Sequence, residues 1–169
     1  MLFLLPLLLF APPSPRITLP RGPAPLRKPP PPLTTSIALV VKTAAGEVRT
    51  GSPTSSAAPA TRPMAILKSG EKPQIRWAIR NTDARKPIPD VVMHFLVTRE
   101  QMPNEPIPAD PRKGTQIDQV MGMTLAAKGV TTGNYNTPIF EPGVYLVQVE
   151  ILDATGQRRQ QCVLDLKVE

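Results

Sequence analysis

The sequence predicts an all-β protein: an antiparallel β-sandwich of about seven strands, preceded by a proline-rich segment with no core of its own. Three observations carry that expectation. The C-terminal stretch EPGVYLVQVEILDATGQRRQQCVLDLKVE contains two runs of alternating side chains joined by a turn that holds Gly156. Upstream, QIRWAIRN and DVVMHFLVTRE repeat the same period of two, the spacing of a strand that buries one face. No part of the chain offers an amphipathic helix of more than about three turns.

The N-terminus, MLFLLPLLLFAPPSP, is an apolar run followed by small residues and prolines, the pattern of a secretory signal's hydrophobic region. It falls short of the roughly 20 apolar residues that span a bilayer, so residues 1–15 are expected to direct export, to the periplasm or the exterior, without anchoring the chain. No Lys or Arg precedes the run, Pro12 follows the best small residue, Ala11, and no cysteine follows to take a lipid. Residues 16–33 read as a disordered basic linker, because 14 of the 23 prolines fall within residues 1–63 and such a segment cannot bury enough surface to offset its ordering entropy.

Residues 34–63 hold a credible strand, TTSIALVVK, a turn at Gly46 and a loop rich in Pro, Ser and Ala. Their membership of the sandwich stays open on sequence grounds. The sandwich proper is expected over 64–169. There Ile75, Trp77 and Ile79 alternate with Arg76 and Arg80, and Val91, Met93, Phe95 and Val97 share one strand face. Residues 100–118 carry Pro103, Pro106, Pro108 and Pro111, which cannot donate to a central ladder, and read as one long loop. QVMGMTLAAKG then gives a short strand and VTTGNYNTPIF a strand interrupted near Gly133. In the terminal hairpin Tyr145, Val147, Val149 and Ile151 oppose Leu146, Gln148 and Glu150, and Cys162, Leu164 and Leu166 repeat the alternation. Trp77, Phe95, Tyr145, Val147, Val149 and Leu164 are the expected core.

The stretch from Phe140 to Val149, FEPGVYLVQV, resembles the penultimate strand of immunoglobulin-like or fibronectin type III-like modules of secreted bacterial proteins, in which a Pro-Gly turn precedes Gly-x-Tyr-x-Val-x-Val. The resemblance implies an immunoglobulin-like sandwich in which Tyr145 forms a corner, its ring inward and its hydroxyl bonded to backbone across the connection. It speaks to fold and not to activity. The paired cysteines of antibody domains are absent, since Cys162 is the one cysteine, and its place in the alternation predicts a buried, inert thiol.

Function is narrowed by inventory. One histidine, His94, mid-strand, leaves no sequence support for a nucleophile–histidine–acid arrangement or a multi-histidine zinc site, and no Gly-rich phosphate loop occurs. No enzymatic activity and no cofactor is therefore expected. Up to Pro63 the chain carries seven basic residues against one acid, and beyond it 13 basic against 12 acidic, so +6 of the net charge of +7 sits in the apparent tail. With seven aromatics in the chain, a nucleic-acid interface is not indicated. The expectation is a binding or structural module of the cell envelope, its partner another envelope protein or an anionic envelope polymer, or a spacer pairing through exposed edge strands. Recognition is assigned to the basic face Arg76 and Arg80 together with Glu105, Asp110, Arg112 and Lys113 of the long loop. The alternative is a Cu(I) carrier, because thioethers and imidazole suit that ion and Met93, His94, Met102, Met121 and Met123 supply them. Methionines also fill irregular cores.

Overall fold

The computed structural model describes residues 34–51, 61–107, 115–152, 156 and 158–169; the signal-like segment and basic linker fall outside them. The described strands, all within the compact unit Pro32–Glu169, are β1 (Thr35–Thr43), β2 (Gly46–Gly51), β3 (Met64–Leu67), β4 (Gln74–Asn81), β5 (Ile88–Glu100), β6 (Thr115–Leu125), β7 (Val130–Asn136), β8 (Gly143–Leu152) and β9 (Arg158–Val168). They form a four-stranded sheet, β2-β1-β4-β7, and a five-stranded sheet, β3-β9-β8-β5-β6. The protein is all-β, as the alternation predicts.

The count is nine rather than about seven because residues 34–51 join the sandwich. β1 lies antiparallel along β4 from Thr35 opposite Asn81 to Lys42 opposite Gln74, and β2 closes the edge. The pairing spans some forty residues of sequence, which local periodicity does not reveal. One pair departs from the antiparallel plan: β3 runs parallel to β9, with Asp165 N–H donating to the Pro63 carbonyl at 2.8 Å and Glu169 N–H to Leu67 at 2.9 Å. The predicted long loop is also shorter than 100–118, since β6 already begins at Thr115, and β6 is an eleven-residue strand rather than a short one.

The core lies between the sheets. Ile37, Leu39 and Val41 of β1 and Ile75, Trp77 and Ile79 of β4 face Val91, Met93, Phe95 and Val97 of β5 and the inward residues of β8 and β9. All six predicted core residues are buried, Trp77 the least so at 6% exposed. Each buried aliphatic side chain of this kind contributes about 1.5–3 kcal/mol relative to exposure. Phe95 and Tyr135 bridge the sheets with ring centroids 4.8 Å apart.

β7 is not interrupted at Gly133. It pairs with β4 through that residue, and Gly133 is required because the Trp77 indole lies directly on it: a Cβ there would meet Trp77 Cζ2 at 2.3 Å. The Tyr145 corner is present, the hydroxyl donating to the Glu141 carbonyl at 2.8 Å while the ring packs 4.9 Å from Phe140.

The outward face of β8 is buried along with its inward one. Arg62, which the charge count places in the tail, is itself buried. Its Nη2 donates to both oxygens of Glu100 at 2.7 and 2.9 Å, its Nε to Asp165 and its Nη1 to the Glu105 carbonyl at 2.7 Å. Asp165 also accepts the Asn104 N–H at 2.8 Å, so this ion group ties the 101–107 turn to β9. Burial pushes the Glu100 carboxyl up to about 7, with Arg62 pulling against it.

Gly133→Ala is expected to lower stability by about 1–3 kcal/mol through forced displacement of Trp77, read by urea denaturation with tryptophan fluorescence. Glu100 binds its proton more tightly folded than unfolded. Its contribution therefore falls as pH rises from about 4.5 to about 7, and Glu100→Gln should flatten the decline of melting temperature across that interval.

Candidate functional site

The outward face of the four-stranded sheet concentrates exposed positive charge, and strand alternation places it there. The register that turns Ile75, Trp77 and Ile79 inward turns Gln74, Arg76, Ala78 and Arg80 outward. On β1 the outward set is Ser36, Ala38, Val40 and Lys42. Arg49, Val40, Arg76 and Asn134 stand in one row across β2, β1, β4 and β7; the next row is Gly51, Ala38, Ala78 and Thr132. The second row is of small side chains and forms a trough between the Arg76 and Arg80 levels.

Two shallow clefts meet at Arg76. One, of about 290 Å³, includes Ala38, Val40, Ala78 and Thr132 in its floor. The other, of about 240 Å³, runs past Pro73, Gln74, Tyr135 and Asn136, and Asn134 borders both. Among the outward strand residues of this face are four cations, Lys42, Arg49, Arg76 and Arg80, and one acid, Glu47, which is bonded to Arg49 Nε. Arg76 and Arg80 are four residues apart on one strand, roughly 13 Å at Cα. Cations spread in this way do not converge on one small anion; they match charges distributed along an extended chain.

The loop residues predicted to share this site do not reach it. Glu105 is held at the outward face of the other sheet, where its carbonyl accepts from Arg62 and its carboxylate from the Gln101 and Met102 N–H groups, each at 2.9 Å. Asp110, Arg112 and Lys113 lie outside the described residues. Arg76 and Arg80 thus belong to one face of the sandwich and Glu105 to the opposite one. Conversely, Lys42 and Arg49, counted with the tail in the sequence, are part of the basic face. Residues 34–169 carry 16 basic against 13 acidic residues.

The metal set is divided as well. Met93 is fully buried on the inward face, opposite Met121 on β6, and Met123 follows on the same face opposite Val91. His94 points outward, away from all three. Its Nδ1 lies 3.0 Å from Glu150 Oε1 and its Nε2 2.6 Å from Asp118 Oδ1, so both ring nitrogens are engaged by carboxylates. Glu150 is further held by Gln148 at 2.8 Å and by Arg158. Met102 is exposed in the turn after β5. Among the described residues, no group of three or more His, Cys, Asp or Glu side chains could hold a metal ion. Cys162 is buried, its Sγ 3.5 Å from the Thr50 carbonyl, and burial pushes the thiol up to about 11.

The sequence signal for the basic face was the Arg-x-x-x-Arg alternation of one strand; its partners Lys42 and Arg49 required strand pairing. Among the described residues no helix is long and apolar enough to cross a membrane. Compared with known protein families, the chain matches no family model, and it matches no curated protein.

Proposed function

We propose that this protein is an exported, non-catalytic binding module of immunoglobulin-like type, and that the outward face of its four-stranded sheet takes an extended anionic polymer of the cell envelope. The observation that carries the proposal is the placement of Lys42, Arg76 and Arg80 on adjacent strands around a trough of small side chains, with Glu47 already bonded to Arg49. The Tyr145 corner supports the immunoglobulin-like assignment. The non-catalytic reading is supported by the chemistry of the two most reactive side-chain types, a histidine bonded at both nitrogens and a thiol pushed up by burial. A Cu(I) carrier draws less support, because the imidazole and the inward thioethers are on opposite sides of the sheet.

Titration of the full chain with polygalacturonate, a carboxylated polysaccharide, is expected to show binding that weakens with added salt, with uncharged dextran inert. Replacing both Arg76 and Arg80 with alanine should reduce affinity roughly 3- to 30-fold, at about 0.3–1 kcal/mol per exposed ion pair. Binding indifferent to salt and to both arginines would refute the assignment of this face. Export is checked separately: mass spectrometry of the protein recovered from its native host should find a mature N-terminus beyond the apolar run, and an intact Met1 in a cytosolic fraction would contradict it.

A further inference from the structure

β6 is the outermost strand of the five-stranded sheet, paired with β5 on one side and with no described strand on the other. Sheet edges are ordinarily blunted by short length, proline, lysine or an unpaired charge. The other edge strands are shorter: β3 has four residues, β2 six and β7 seven. β6 is the longest edge; it runs eleven residues, TQIDQVMGMTL, without proline, lysine or arginine. Its single charge, Asp118, is engaged through Oδ1 by His94 Nε2 at 2.6 Å. Val120 at its centre is 58% exposed.

We propose that β6 pairs antiparallel with β6 of a second copy of this chain about a two-fold axis at Val120, joining two five-stranded sheets into one. The register follows from the strand. Centring on Val120 sets the whole strand opposite its copy, and the regular part of that pairing is Ile117–Met123, since β6 shifts register against β5 between Ile117 and Thr115. The stretch that pairs without a shift against β5, Ile117–Met123, is itself centred on Val120. In this register Ile117 meets Met123 and Gln119 meets Met121 on the inward side, extending the apolar surface that the half-buried methionines already border. On the outward side Val120 meets its own copy and Asp118 meets Gly122. A register centred on Asp118 would set two carboxylates face to face, which cross-strand pairing disfavours. The interface is isologous, as a closed dimer requires.

The test uses the full chain. Sedimentation velocity from roughly 1 µM to 1 mM, the window in which small interfaces associate, should show a monomer–dimer equilibrium, and Val120→Glu should weaken it at least about tenfold by opposing two charges at the axis. With Cys162 changed to serine, Val120→Cys should give a disulfide dimer on oxidation by diamide. In that background Gln116→Cys alone should remain uncrosslinked, and a mixture of Gln116→Cys with Thr124→Cys should crosslink. A wild-type chain that stays monomeric throughout, an association that Val120→Glu leaves intact, or Val120→Cys crosslinking no faster than Gln116→Cys alone would each overturn the proposal.

Discussion

The register of β4 governs both halves of this structure. β4 lies between β1 and β7, and its eight residues alternate strictly: Ile75, Trp77 and Ile79 go to the core, Gln74, Arg76 and Arg80 to solvent. Because the side-chain period of a strand is two, a slip of one residue would carry the arginines into the core and expose the tryptophan, a change too costly to be populated. The indole adds a second lock. It occupies the space left by Gly133 on β7, so that pairing is set by shape as well as by polarity. The basic face is thus a consequence of packing the core.

The five-stranded sheet is organised on a different principle. Its central strands bury side chains on both faces, and the outward ones include groups that require partners: His94 with Asp118 and Glu150, and Arg62 with Glu100 and Asp165. A buried ion pair such as Arg62 with Asp165 contributes modestly to net stability, yet breaking one partner leaves the other uncompensated at a cost of about 3–5 kcal/mol. Their effect here is positional. Arg62 and Asp165 draw the segment before β3 and the 101–107 turn against β9. Asn81 does the same at the end of β4, its amide donating to the Lys86 carbonyl at 2.7 Å and the Ala126 carbonyl at 3.0 Å. The two sheets therefore differ in use: one presents charge to solvent, and the other pairs it internally and ends in the eleven-residue edge of β6.

The fold class and most of the core were readable in the chain, because alternation is a local property and Trp77, Phe95, Tyr145 and Leu164 announce their faces within a few residues. Arg76 and Arg80 were readable as an exposed pair for the same reason. The remainder of the basic face was not, because Lys42 and Arg49 reach it through β1–β4 and β1–β2 pairing. The loop residue Glu105, grouped with Arg76 and Arg80 in the sequence reading, lies against the other sheet, since nothing in a loop's own sequence states which sheet it folds against. The Met-His grouping failed on geometry: adjacent residues on one strand, Met93 and His94, point to opposite sides.

What the sequence by itself determined was which residues alternate, where proline forbids a ladder, and that one cysteine and one histidine leave little catalytic chemistry. What only the tertiary structure decided was partnership: that residues 34–51 complete a sheet, that Arg62 is an interior ion rather than a tail charge, and that β6 ends a sheet. The physical reason is that periodicity reports the environment of each side chain, whereas hydrogen bonds between strands and buried ion pairs form between segments tens of residues apart, whose choice of partner is settled only when all of them pack at once.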